Sequence, residues 1–280
     1  MARSREGEAT PVRIAATVLA KLNLARKCRE ELRNWPAVLL RAGLAHFGWS
    51  RGAFTVESRA GVILEAPNRV SAWYPLVEVL GGDSYRLRHM SWDDPSGPRG
   101  VLDIGAHVGS FTCALAERLP GATFTCVEPS PTTLAPLRAN LVRNGLAGRA
   151  VVVPVAITNA DGEAELWATE EASSEASLRS GRGKRVTVAT MSFDSIVTAA
   201  GGRIQIAKLD CEGGEYASIL GSSSESWATV EQLFLEYHPV VGHHFHELTD
   251  RLDEFGLNLV WQQRDASIPE LGMAYFARGR

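Results

Sequence analysis

The sequence predicts an α/β fold. It has a mostly parallel sheet flanked by helices, an antiparallel C-terminal hairpin, and an N-terminal helical cap that carries a small hairpin of its own. Three observations predict it. Beyond residue 100, short continuous apolar runs alternate with helix-length stretches, the pattern of parallel strands buried on both faces. The last two runs, Leu257–Trp261 and Met273–Ala277, are joined by a polar turn with no room for a helix, so they pair antiparallel. Before residue 99 the texture is instead basic and helical. A length of 280 residues suits one large domain or a core with an appended cap. The turn-rich DDPSGPR stretch, Asp93–Arg99, supplies the boundary, giving a cap over 1–98 and a ligand-binding domain over 99–280.

The elements follow in order. From Val12 to about Trp35 apolar residues recur with helical spacing at Ile14, Val18, Leu22, Cys28 and Leu32. Pro36 interrupts them, because a proline pushes its predecessor out of the helical region. A second helix, Ala37–Phe47, comes next. Ala53–Glu57 and Gly61–Glu65 form a hairpin across Ser58-Arg59-Ala60, and Val70–Leu80 is a helix ended by Gly81-Gly82. In the second part, strands are expected at Val101–Ile104, Thr123–Val127, Ala150–Ala156, Gln205–Leu209 and Gln232–Glu236. Helices follow to Leu119, to Asn144, from about Gly214, and to Phe255.

Composition narrows the function. The net charge of −3 argues against a uniformly basic nucleic-acid binder. Residues 1–51 carry ten Lys or Arg against four Asp or Glu, so the remainder is at −9. The basic helices read as a cap with a solvated face; a homodimer surface through them is the sharper alternative. Four cysteines without a CxxC pair suit a reducing cytoplasm rather than a zinc site or a disulfide scaffold. No run of 18 apolar residues occurs, so neither a membrane span nor a cleaved signal peptide is expected.

The strongest motif is Val101-Leu102-Asp103-Ile104-Gly105-Ala106-His107-Val108-Gly109-Ser110-Phe111, a buried strand running through a glycine turn into a helix. Gly105 lets the backbone approach a ligand, and Gly109 lets the helix start pack closely. Asp103 is placed to accept a hydrogen bond from a ligand amine or from the loop's own amides. Glu128 stands 25 residues later at the end of the next strand, where an acid can take both ribose hydroxyls; a plain helix-start carboxylate is the alternative. The loop reads G-x-x-x-G, without the middle glycine of G-x-G-x-x-G, which leaves less room for a pyrophosphate. Acids at both strand ends suit a nucleoside with a cationic amino-acid tail, S-adenosyl-L-methionine (SAM), better than NAD.

The stretches VLDIGAHVGSFT, VEPSPTTLAPLRANLVRNGL, VPVAITNADGEAELW, TMSFDSIV, IAKLDCEGGEYASILGS and LFLEYHP occur in that order across about residues 100–239. Together they resemble the FkbM-type SAM-dependent methyltransferases. The resemblance implies a class I methyltransferase (Rossmann-like) sheet, SAM as methyl donor, and O-methylation of a sugar or other small natural product. It implies that Asp103, Gly105 and Glu128 hold SAM, that Ala156-Ile157 lie against the adenine, and that Asp210 sits by the methyl group. His107 stands where the family more often has Asn, and reads as a hydrogen-bonding variant in the same cofactor loop as Gly109.

Two further clusters carry candidate chemistry. Lys208-Leu209-Asp210-Cys211-Glu212-Gly213-Gly214-Glu215-Tyr216 packs three carboxylates into six residues at a strand end, where like charges raise at least one pKa. Glu215 is favourable in the first helical turn, and Glu212 is open to pairing with Lys208. In Leu233-Phe234-Leu235-Glu236-Tyr237-His238-Pro239, Glu236 and His238 project to one side of an extended strand. A carboxylate that orients a histidine makes a general base, so His238, Asp210, Glu212 and Glu236 are the candidate catalytic residues. Asp210, Glu212, Glu236 and His238 also have the chemistry of a Mg²⁺ site, but no metal is expected. His243, His244, His246 and Glu247 read as a helix start or substrate lid, and the basic loop Ser173–Arg185 as facing water or an acidic substrate. The expectation is therefore O-methylation of a small-molecule acceptor, without nucleic-acid or membrane partners. Carboxyl-, N- or C-methylation on the same scaffold is the near alternative. An NAD-dependent oxidoreductase and a non-catalytic SAM-binding module are the distant ones.

Overall fold

The computed structural model describes residues 22–47, 49, 52–67, 75–90, 99–168, 184–265 and 268–279. The expected 98/99 boundary, most of the Ser173–Arg185 loop and the start of the first helix lie outside them. The cap consists of helix α1 (residues 22–31 as described), α2 (Trp35–His46), strands β1 (Ala53–Glu57) and β2 (Ile63–Pro67), and α3, helical from residue 75 and ending in a π-helical turn, Glu78–Gly82. Gly81 and Gly82 thus belong to the last turn, and Asp83 after it takes the left-handed conformation that ends the helix.

The rest alternates as expected, with strands β3 (Arg99–Ile104), β4 (Ala122–Val127) and β5 (Ala150–Val153) separated by α4 (Ser110–Arg118) and α5 (Pro131–Arg143). A small sheet follows, built of β6 (Ala156–Ile157), β7 (Gly162–Ala168) and β8 (Lys184–Met191), and then α6 (Phe193–Ala199). The chain returns through β9 (Ile206–Leu209), α7 (Glu215–Leu220), α8 (Ser224–Trp227), β10 (Gln232–Tyr237), α9 (Phe245–Glu254), β11 (Leu257–Arg264) and β12 (Gly272–Arg278). The main sheet has the order β11-β12-β10-β9-β3-β4-β5; β12 runs antiparallel to β10 and β11, and the run β10-β9-β3-β4-β5 is paired parallel throughout.

One expectation is corrected. Ala150–Ala156 is not a single strand. β5 stops at Val153, Pro154 intervenes, and Ala156-Ile157 joins the small sheet by pairing parallel with Thr190-Met191. A proline lacks the N–H that the ladder requires.

Alternate side chains of the central strands feed two apolar clusters. Val101, Phe124, Ile206 and Phe234 point to one face and pack with Phe111, Leu115, Leu137 and Leu141, together with the cap residues Cys28, Leu32, Phe54 and Leu76. Leu102, Ile104, Leu209 and Leu235 point to the other face, against Phe193, Ile219, Trp227, Leu248 and Leu252. Two asparagines dock the cap hairpin. Asn140 on α5 accepts from the Glu65 N–H at 2.9 Å and donates to the Glu65 and Val108 carbonyls. One turn later, Asn144 makes the same pair of bonds with Ile63. Two amides four residues apart, one on α5 and one at its C-terminal cap, thus satisfy two alternate residues on the open edge of β2.

Among the described residues no helix is long and apolar enough to cross a membrane. Strand order reverses between β3 and β9, the place where open α/β sheets form a crevice at their carboxyl ends.

Candidate active site

A cavity of about 550 Å³ opens at that crevice. Its lining includes Gly105, Ala106, His107, Glu128, Ala156, Ile157, Asp210, Glu212 and Glu236 from the strand ends. Glu78 and Tyr85 from the cap, with Gln263, Arg264 and Asp265 from the terminal hairpin, close the other side. Most sequence-predicted positions therefore converge on one space, although Asp103, Gly109 and His238 are not in its wall.

The β3 turn is held from below. Asp103 is fully buried and accepts from the Thr112 hydroxyl at 2.6 Å, while its other oxygen lies 3.4 Å from Lys208 Nζ. It braces the turn and does not reach toward a ligand. Lys208 is the hub: its ammonium donates to the carbonyls of Gly105 at 2.7 Å and Ile104 at 3.3 Å and lies 3.3 Å from Asp210. The β3–β9 register sets Lys208 beside Asp103, so the pairing with Glu212 open in the sequence gives way to this one.

Gly105 has φ +77°, and a Cβ there would collide with the Asp210 carbonyl oxygen. Its N–H and that of Ala106 both donate to Val127, which ties the turn to β4. His107 also takes a left-handed φ, +50°, a region to which Asn and His are better suited than most residues. Burial lowers the His107 pKa to about 4, so its ring is neutral. Gly109 caps α4, and its open side faces Leu137, where close helix packing needs it.

Glu128 ends β4 and is almost completely buried. Oε2 accepts from the His107 N–H at 2.9 Å; Oε1 accepts from the Ser130 N–H at 2.9 Å and the Thr133 hydroxyl at 2.8 Å. Burial raises its pKa, against the lowering effect of these three bonds. The carboxylate is thereby fixed at the cavity wall.

The β9 and β10 ends hold the charged cluster. Burial pushes the Asp210 carboxyl up, but Lys208, then His238, and the hydrogen bonds from Lys208 and Tyr85 together hold it below its usual range. Tyr85 donates to Asp210 at 3.3 Å. Glu215, fully buried, turns back from the first turn of α7 to accept from the Cys211 N–H at 2.8 Å and the Gly213 N–H at 2.9 Å.

Here two expectations change. Glu215, not Glu236, orients His238, whose Nδ1 lies 3.0 Å from Glu215 Oε1. Nor does His238 suit the role of base. Burial would lower its pKa, but the Glu215 hydrogen bond and charge, followed by Asp210 and Glu212, raise it to about 10, so at neutral pH it already carries its proton. Its Nε2 is 3.6 Å from Glu212, which sits at a left-handed φ of +54°. Asp210, Glu236 and His238 bring potential ligand atoms within 4.8 Å of one another.

The histidine-rich start of α9 is structural. Glu247 accepts from the His244 N–H at 2.6 Å while the His244 side chain accepts from the Glu247 N–H, forming a capping box, and Glu247 also lies 2.9 Å from His243 Nδ1. In the basic loop, Arg185 falls on β8, paired with Glu165 at 2.8 Å and stacked over Trp167.

The chain matches the Methyltransferase FkbM domain model over residues 103–259. It is 24% identical over 172 residues to a 31-O-demethyl-FK506 methyltransferase from Streptomyces tacrolimicus, an alignment that covers 51% of this chain and 66% of that protein. Among solved structures, a methyltransferase FkbM from Methylobacillus flagellatus is 14% identical with a TM-score of 0.44, covering 87% of this chain and 59% of that one. An O-methyltransferase family protein from Burkholderia thailandensis is 13% identical with a TM-score of 0.42, covering 75% and 60%. The family match begins at Asp103 and takes in both Glu128 and the acidic ends of β9 and β10; the chain belongs to the FkbM methyltransferase family.

Proposed function

We propose that the cavity binds SAM and that the protein methylates a hydroxyl of a small molecule by direct displacement. The observation that carries this reading is Glu128, a buried carboxylate locked by three donors at the tip of the second strand and facing a nucleoside-sized space. The residues present suit the group. A carboxylate has about four acceptor sites; three are taken, and Glu128 keeps the remaining lone pair, on Oε2, for a ribose hydroxyl. Ala156 and Ile157 offer an apolar wall for the adenine. The Gly105 turn packs directly on the Asp210 backbone, where no Cβ could stand, and so holds the tips of β3 and β9 together at the cavity.

When bound, SAM supplies an electrophilic methyl on a sulfonium. The chain's own task is to hold an acceptor oxygen in line, under Glu78 and Tyr85 of the cap and beside Gln263–Asp265. Such positioning accounts for most of the rate when the donor is intrinsically reactive. Several carboxylates at the acceptor side favour an uncharged alcohol over an anionic carboxylic acid, which favours O-methylation of a hydroxyl over carboxyl methylation.

Thermal unfolding tests the donor. S-adenosylhomocysteine at 100 times its Kd stabilises the fold by about 2.7 kcal/mol and raises Tm, whereas NADH leaves it unchanged. A rise with NADH alone overturns the reading. Label transfer from methyl-tritiated SAM to a panel of sugars and polyketide alcohols, set against the matching carboxylic acids, tests the acceptor class.

A further inference from the structure

Six carboxylates meet the cavity wall: Glu78, Glu128, Asp210, Glu212, Glu236 and Asp265. Glu128 is held by three donors, and Asp210 by Lys208 and Tyr85. Glu212 faces His238, and Glu78 and Asp265 also have partners. Glu236 differs. Among the described residues its carboxylate accepts no hydrogen bond and forms no ion pair, although it lies within 4.8 Å of Asp210 and His238. It is the last residue but one of β10 and stands opposite Met273, an uncharged neighbour on β12.

We propose that Glu236 takes the proton from the acceptor hydroxyl and that the positive charge of the donor readies it to do so. The assignment rests on the donor reading above. In the step, the acceptor O–H bond breaks and its proton goes to a Glu236 oxygen. The oxygen's electron pair forms the new O–C bond, while the C–S bond of the sulfonium donor breaks with its pair remaining on sulfur. No other reactant is needed.

The surroundings explain the readiness. Burial, followed by the charge of Asp210, raises the Glu236 pKa to about 8; His238 and Lys208 pull it down, and Glu78 adds to the rise. Tyr85 and Arg264 line the same space. Without a cation in the cavity Glu236 is therefore mostly protonated at neutral pH. A sulfonium entering the cavity favours the ionised form, and the displaced proton leaves to solvent.

This predicts a linkage that needs no known acceptor. Calorimetry at pH 7.5, run in buffers of different ionisation enthalpy, should show SAM binding releasing a large fraction of one proton. S-adenosylhomocysteine, a neutral thioether, should release far less. Glu236→Gln keeps the shape of the side chain. In that variant the proton release should vanish and SAM affinity should fall about tenfold, the factor equivalent to one pKa unit, with S-adenosylhomocysteine affinity unchanged. Equal proton release in the wild type and Glu236→Gln, or none in the wild type, overturns the assignment while leaving the donor reading intact. Failure of both compounds to bind overturns the donor reading and this assignment with it.

Discussion

At the scale of single residues, the site sets each of two cations between two carboxylates before any ligand arrives. Lys208 balances Asp103 and Asp210, and His238 balances Glu215 and Glu212. Because the folded pKa of His238, about 10, lies above its ordinary 6.5, its stabilising contribution is complete below about pH 6.5 and is lost as pH rises toward 10. Unfolding free energies measured across that range should therefore fall more steeply in the wild type than in His238→Gln, and a parallel pair of curves would contradict the ion-pair assignment. Glu128→Ala should weaken SAM binding by about 1–3 kcal/mol, the scale of lost hydrogen bonds to a charged group, as read by calorimetry. The sequence located these residues better than it paired them. Spacing along a strand put Glu236 and His238 on one side, but the carboxylate that orients the histidine comes from the start of a different element, 23 positions away. Only the β3–β9 register reveals that Lys208 faces Asp103.

Elements explain which parts of the fold were legible. The central parallel strands announce themselves because burial on both faces demands near-continuous apolar runs such as Val101–Ile104 and Ile206–Leu209, each broken once, by Asp103 and by Lys208. The small sheet is legible only in part. In β7 the acids Glu163 and Glu165 alternate with apolar residues, the two-residue period of a half-exposed strand, but β6 is only two residues long and leaves no pattern. The Asn140 and Asn144 clamp was equally hidden, because nothing in the local pattern of α5 says that its amides will meet a strand edge. Asn140→Ala should leave the Glu65 N–H and C=O and the Val108 carbonyl without their partner, at roughly 1–3 kcal/mol for each buried group left unsatisfied. Denaturant unfolding and faster amide exchange at Glu65 would register it; unchanged exchange would show that the clamp does not hold the hairpin. Gly105→Ala should be severe, since the left-handed conformation alone costs about 1–3 kcal/mol in a residue with a Cβ and the added methyl meets the Asp210 backbone. Loss of SAM binding together with a lowered Tm is the expected result.

Over the whole molecule, the cap and the sheet share one apolar cluster, so the acceptor side of the cavity is built by the same packing that seats α1 and the β1–β2 hairpin. Tyr85 makes that link chemical: its ring packs edge-on to Phe111 at 5.1 Å and its hydroxyl reaches Asp210. A cap displaced from the sheet would lose both contacts at once. The central claim is that a SAM-type nucleoside lies in the crevice between the β3 turn and the tip of β4. A crystal structure of the protein grown with S-adenosylhomocysteine measures it most directly. The account predicts density for the ligand with a ribose hydroxyl on Glu128 and its adenine against Ala156 and Ile157. A ligand seated elsewhere, or a ribose that does not touch Glu128, would contradict it.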